Sequence, residues 1–327
     1  MKKVIIAIHG LGNKPPQKQL ENWWKQAIKE GLKIRGINKK LPNFELVYWA
    51  DILYDKPLDQ SITDKENPYY LDEIYTKASE NIITENHDFR IKVLDFLTEQ
   101  LNNLFLNDDK SLNYSYISDL ILQKYFRDLE LYYTDCQDET SMFCKVKERT
   151  RERLIQIIKK HKKHEIMLVA HSMGSIIAYD VLSLFAAHQT IHSFVTIGSP
   201  LGLPVIVSKI AQEQKSFQIK EILSTPPSVK QWFNLADITD SVAFNYKLAD
   251  DFTANAMGTI PIDFLVTNNY EMNGIRNPHK SYGYLRCNEF SNIITDFIGE
   301  EKPWFGKLLY LKFREFLEKM KKPDSVA

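Results

Sequence analysis

Cysteine is scarce in this chain, with Cys136, Cys144 and Cys287 the 3 among 327 residues. An odd count without metal-ligand spacing excludes a disulfide framework and argues against structural zinc; it suits reduced thiols in a cytoplasmic protein. An excess of one charge is also lacking. Lysine plus arginine and aspartate plus glutamate number 42 each, so no bulk field steers the chain toward nucleic acid. No stretch approaches the roughly 18 consecutive apolar residues that a spanning helix needs. Yet 44% of the residues are hydrophobic, enough at this length for one large domain with insertions or two smaller ones. Met1-Lys2-Lys3 and the apolar residues 4–8 open like a signal peptide. The run is too short for an h-region and ends in His9-Gly10 without a cleavage-like site, so it reads as a first strand.

The most informative stretch is residues 165–179, EIMLVAHSMGSIIAY. Five apolar residues run into His171-Ser172-Met173-Gly174, and a second apolar segment follows at helical spacing. This predicts a strand buried on both faces, a sharp turn and a helix. Small residues on either side of a serine suit an elbow that holds it strained and clear of the sheet, and here Ala170 and Gly174 flank Ser172. A serine hydroxyl is a weak nucleophile. It needs a general base within reach and an amide, here that of Met173, facing the oxygen that becomes negative. A serine helix cap at the end of a buried strand is the alternative for the pentapeptide taken alone.

The first strand ends in His9-Gly10-Leu11-Gly12, a glycine-rich turn that lets backbone amides face a ligand. After Pro15-Pro16, residues 19–32 place Leu20, Trp23, Trp24, Ala27, Ile28 and Leu32 at helical spacing, which reads as a helix packed on a sheet. Residues 44–50 read as the next strand, residues 145–160 as the helix before the elbow strand, and residues 191–197 as a strand ending in Gly198-Ser199-Pro200. Ser199 lacks the elbow context and ranks below Ser172. Residues 203–227 form an excursion without a clear pattern. Residues 229–235 read as a strand followed by Asp237-Ile238-Thr239-Asp240-Ser241-Val242, and residues 262–267 as the last strand. A loop rich in Asn, Gly and Pro then leads to His279. A serine nucleophile requires a histidine base and a carboxylate that fixes its tautomer. Asp240 is the first candidate for that carboxylate and Asp237 the second. His87, His161, His164, His188 and His192 lie in helical or polar segments without partner logic, and His171 reads as shaping the pocket.

AHSMG resembles the pentapeptide of some small bacterial lipases, and the order of elements resembles the α/β-hydrolase family, although Ala170 stands where Gly-x-Ser-x-Gly has glycine. The resemblance covers about two thirds of the chain. It implies an α/β-hydrolase fold, with a mostly parallel central sheet flanked by helices, and a chain order Ser172, Asp240, His279 for nucleophile, acid and base. It also implies an oxyanion hole from the amides of Leu11 and Met173. The Asp-x-Val at Asp240 and the His-x-x-Tyr at His279 are similar to the family's motifs. The strand end Tyr48-Trp49-Ala50-Asp51 resembles that of bacterial serine hydrolases, with Asp51 structural.

Residues 52–143 depart from strand-helix alternation. Residues 89–106 and 117–133 show helical spacing, and tyrosines cluster at Tyr69, Tyr70, Tyr75, Tyr114, Tyr116, Tyr125, Tyr132 and Tyr133. The expected organisation is a core of residues 1–51 and 144–327 with an inserted helical cap at 52–143, lying over the ligand crevice. Residues 304–322 read as a basic amphipathic helix that docks on the sheet or makes peripheral membrane contact. The function expected is hydrolysis of a carboxylic ester through an acyl-enzyme on Ser172, with no cofactor and no metal. The GPI inositol-deacylase group shares similar HG and HSMG elements, which extends the expectation to lipid esters. Acyl transfer or thioester cleavage by the same nucleophile, and a non-catalytic binding protein of this fold, remain open alternatives.

Overall fold

The computed structural model describes residues 1–78, 132–133, 145–186, 189–243 and 245–299. Most of the expected cap, including residues 89–106 and 117–131, and the expected helix 304–322 lie outside the described residues.

Six parallel strands form the central sheet in the order β2-β1-β3-β4-β5-β6. They are β1 (Lys3–Ile8), β2 (Asn43–Val47), β3 (Glu165–His171), β4 (Ser193–Ile197), β5 (Trp232–Asp237) and β6 (Pro261–Val266). The first strand shows why the runs are continuously apolar. Val4, Ile6 and Ile8 join the core on one face, and Ile5 and Ala7 join the core on the other. Period-2 alternation sends successive side chains to opposite faces, and both faces are covered. One layer is α1 (Gln17–Ile34), which buries Leu20, Trp24, Ala27, Ile28 and Leu32. The opposite face carries α2 (Val146–Lys160), α3 (Met173–Leu184) and α4 (Pro204–Ser216). After the short α5 (Leu248–Asp251), α6 (Ser281–Arg286) and α7 (Asn288–Ile298) pack on the α1 side. This is an α/β-hydrolase architecture.

Several boundaries differ from the sequence expectation. The second strand stops at Val47, and Ala50–Ile52 turn into a 3₁₀ helix where Asp51 pairs with Arg153. The fifth begins at Trp232 rather than at Val229, which makes only an isolated bridge to Ile191. The excursion after residue 203 contains α4, opened by Pro204 at its first position, where a missing N–H costs nothing. The loop before His279 carries a hairpin of β7 (Glu271–Met272) and β8 (Ile275–Arg276). It turns at Asn273 and Gly274 with φ of 54° and 76°, the left-handed pair of a type I′ turn.

The described ends of the expected cap are tied to the core. Tyr75 Oη donates to Glu30 at 2.7 Å, and Ala78 N donates to the same carboxylate at 2.8 Å. At the far end, buried Tyr132 donates to Asp180 at 2.6 Å and accepts from Arg151 Nε at 2.9 Å. Tyr75 and Tyr132 therefore tie the described residues around them to the sheet-flanking helices.

Candidate active site

Because β1 pairs with β2 on one side and β3 on the other, the connections leave it in opposite directions and open a crevice above its carboxyl end. His9 follows β1 and Ser172 follows β3 at that crevice. Ser172 has φ 53° and ψ −130°, a conformation that costs a non-glycine residue about 1–3 kcal/mol. Hydrogen bonds hold it there. Its N–H donates to Ile197 O at 3.1 Å, and its carbonyl accepts from Ser175 N at 2.9 Å and Ser175 Oγ at 2.6 Å.

The neighbouring small residues follow from crowding. A Cβ on Gly10 would lie 2.6 Å from Ser172 Cβ, and one on Gly174 would lie 2.7 Å from His9 O and 2.8 Å from Ile8 O. The end of β1 thus passes directly against the elbow. Ala170 is fully buried between Ile8 and Thr196 in the sheet register, so its methyl group is accommodated there.

His279 stands in the loop before α6 and connects two of the predicted residues. Its Nε2 is 3.0 Å from Ser172 Oγ, and its Nδ1 is 2.9 and 3.0 Å from the two oxygens of Asp240. An ionised carboxylate only accepts, so Nδ1 carries the proton and Nε2 is free to accept from the serine. Asp240 is buried and also accepts from Tyr284 Oη at 2.7 Å and Val242 N at 2.9 Å. Asp237 faces elsewhere. Its oxygens take Thr239 N at 2.7 Å, Asn268 N at 2.6 Å and Arg276 Nη2 at 2.8 Å. The geometry therefore separates the two aspartates that the sequence left open, and it brings Asp240 to the histidine.

The loop carrying His279 is fixed by three successive carbonyls. Asn268 Nδ2 donates to Pro278 O at 2.7 Å and to Lys280 O at 2.8 Å, while His171 Nε2 donates to His279 O at 2.7 Å. His171 thus positions the loop that carries His279 and borders the pocket. Burial, and then the neighbouring His279, hold its pKa well below the usual histidine range. Ser199 stays apart from His279; its Oγ lies 2.7 Å from Ser175 Oγ and accepts from Leu201 N.

Two contributors escaped the sequence reading. Tyr284 bridges the aspartates, accepting from Asp237 N at 2.9 Å and donating to Asp240, and burial followed by Asp240 pushes its pKa well up. Asn268 is the other. The His-x-x-Tyr pattern points to Tyr282, and a tyrosine two residues later carries no separate signal in the sequence.

Ser172 and His279 open into a cavity of about 380 Å³. Its apolar wall includes Leu11, Leu20, Trp24, Leu58, Leu71 and Tyr282, and its polar rim includes Asn13, Lys14, Asp72, Asn277 and the 2.5 Å Glu73–Lys280 ion pair. Leu58, Leu71, Asp72 and Glu73 come from the stretch that follows the 3₁₀ helix at Ala50–Ile52. Met173, the first residue of α3, is buried directly after the serine. Among the described residues no group of three or more His, Cys, Asp or Glu is arranged to hold a metal ion, and no helix is long and apolar enough to cross a membrane.

A parallel sheet with helices on both faces, and a strained serine at the switch point facing a histidine beyond the last strand of that sheet, define a hydrolase-type α/β domain. Comparison with family models gives the same result more narrowly. The chain belongs to the family described as PGAP1-like alpha/beta domain, whose model matches residues 92–279. The match contains Ser172, Asp240 and His279 and begins after the HGLG turn. No curated protein matches the chain.

Proposed function

We propose that the protein is a serine carboxylester hydrolase with Ser172 as nucleophile, His279 as general base and Asp240 as the carboxylate that orients it. The observation that carries this reading is the unbroken Ser172 Oγ, His279 Nε2, Nδ1, Asp240 hydrogen-bond chain at 3.0 and 2.9 Å, opening into the cavity. His279 takes the serine proton as Oγ attacks the acyl carbonyl. Asp240 stabilises the imidazolium that forms, and the amides of Leu11 and Met173 receive the oxyanion. The proton passes from His279 to the departing alcohol. Water, activated by the same imidazole, then attacks the acyl-enzyme, and Ser172 is regenerated with release of the acid.

The substrate class is a carboxylic ester, and the similarity of the HG and HSMG elements to those of the GPI inositol-deacylase group extends it to a lipid ester. Residues 52–143 act in this reading as the cap that selects the substrate. Their described part supports it by supplying Leu58, Leu71, Asp72 and Glu73 to the cavity wall.

The test is labelling with a fluorophosphonate probe, wild type beside Ser172→Ala, with short-chain and long-chain p-nitrophenyl esters run in parallel. The expected result is a label confined to Ser172 and ester turnover that disappears in the variant. A folded wild type that takes no label and turns over no ester overturns the reading.

A further inference from the structure

An oxyanion hole works only if its donors are already aimed before charge develops. The two amides assigned above belong to the peptides Gly10–Leu11 and Ser172–Met173. The described chain contains no cis peptide bond, so in each of these peptides the carbonyl and the N–H point to opposite sides. Whatever holds the oxygen therefore aims the amide.

Both oxygens are held by side chains, that of Ser172 together with the backbone Ser175 N at 2.9 Å. Trp49 N lies 3.0 Å from His9 Nε2 and can only donate, so Nε2 is unprotonated and the ring proton sits on Nδ1. That Nδ1–H donates to Gly10 O at 2.8 Å. The imidazole is clamped in this pose, stacked on the Trp49 ring at 5.0 Å with an 8° interplanar angle, while Trp49 Nε1 donates to His9 O at 2.9 Å. Burial, with Lys14 nearby, keeps the pKa of His9 well below the ordinary histidine value, so the neutral tautomer persists at neutral pH.

The second peptide is tethered by a relay. Ser175 Oγ gives its one proton to Ser172 O at 2.6 Å and so must accept from Ser199 Oγ at 2.7 Å, which itself accepts from Leu201 N at 3.2 Å. The hydrogen bonds all run one way, from Leu201 N toward the Ser172 carbonyl, which polarises each along the chain. Ser175 and Ser199 are both buried.

We propose that His9 and the Ser175–Ser199 pair are positioning residues that aim the Leu11 and Met173 amides at the developing oxyanion. This rests on the hydrolase reading. It assigns a role to His9 of the HGLG turn and to Ser199, neither of which takes part in the Ser172–His279–Asp240 chain.

The test uses the two amide mimics of histidine in the full chain. The amide nitrogen of His9→Asn occupies the position of Nδ1 and can still donate to Gly10 O. The amide of His9→Gln falls at Nε2, which serves Trp49 and abandons the tether. Assays are p-nitrophenyl butyrate turnover, inhibition by a trifluoromethyl ketone that mimics the tetrahedral adduct, and thermal unfolding. His9→Gln is expected to lower kcat by ~100-fold with KM within about threefold, and to weaken the ketone in proportion, whereas His9→Asn stays within about tenfold of wild type. Equal losses in the two variants, or a loss confined to KM, overturn the inference. Ser175→Ala, a minimal change, provides a reading if neither His9 variant folds. A kcat about tenfold lower at constant KM supports the inference, and an unchanged kcat overturns it. An active wild type with failing predictions overturns this inference alone; an inactive, unlabelled wild type overturns the hydrolase reading and this inference with it.

Discussion

Replacing Asp240 by asparagine exchanges one carboxylate oxygen for an NH₂ group at the point where three donors converge. Oδ2 receives His279 Nδ1 at 2.9 Å and Tyr284 Oη at 2.7 Å, and Oδ1 receives Val242 N at 2.9 Å. An asparagine has a single oxygen for these donors. With that oxygen toward His279, its NH₂ confronts the Val242 N–H. With the NH₂ toward His279, the imidazole must carry its proton on Nε2 and can no longer accept from Ser172. Either arrangement costs catalysis, and the second removes the base. A wrong tautomer in such a triad costs about 10⁴ in kcat, equivalent to about 5.4 kcal/mol of barrier. Asp237→Asn is the control. It loses the charge-assisted bond from Arg276 at 2.8 Å, so stability should fall by about 1–3 kcal/mol while kcat stays within about tenfold. Steady-state ester hydrolysis and denaturant unfolding of both variants decide the matter. An Asp240→Asn enzyme retaining more than about a tenth of wild-type kcat, or an Asp237→Asn enzyme that loses as much as Asp240→Asn, would refute the assignment.

Three further outcomes follow from the same geometry. Ser172→Gly should unfold at higher temperature than Ser172→Ala, because glycine relieves the positive φ of 53° by about 1 kcal/mol, worth roughly 1–2 °C in a chain of this length; equal melting temperatures would contradict stored strain at the elbow. His9 and His171 are held neutral by burial, with pKa values well below the unfolded one, so unfolding takes up protons below pH 6.5 and stability falls as pH drops. Asp263, pushed up to about 6 by burial, acts in the opposite direction, so the clean comparison is His171→Gln with wild type between pH 7 and 5. Removing one proton uptake should make the variant's slope shallower, by a difference that grows to about 1.4 kcal/mol per pH unit as the pH approaches 5, and parallel slopes would refute it. Asn268→Ala frees the carbonyls on both sides of His279 and should lower kcat about tenfold or more while fluorophosphonate labelling slows in parallel; unchanged labelling kinetics would show that the loop holds itself.

How much of this was legible in the sequence depends on the range over which each feature is determined. The elbow was readable because strand, turn and helix are local. Ile166 to Ala170 is too apolar for a half-exposed strand, and Ser172-Met173-Gly174 supplies the turn chemistry. The first helix was equally clear, since Leu20, Trp24 and Ile28 recur on one face. By contrast, α4 lay hidden in the stretch at 203–227. The buried set on its single face mixes Ser208 and Gln214 with Ile206, Val207 and Ile210, which blurs the periodicity. The Asn273-Gly274 turn was a local signal that the loop reading passed over. The choice between Asp237 and Asp240 was not local at all. Arg276 and Asn268, dozens of residues downstream, occupy Asp237, and Tyr284 joins Asp240 from α6. Only the folded chain brings those partners together.

The central claim is that an acyl group passes through Ser172. The most direct measurement is intact-protein mass spectrometry of acid-quenched enzyme during turnover of p-nitrophenyl butyrate, with peptide mapping of any adduct. A transient butyryl mass on the peptide containing Ser172, absent from Ser172→Ala and matched in rate to the burst of nitrophenolate, is the predicted result. Turnover with no covalent species at any quench time, or an adduct mapped to another residue, would contradict the account.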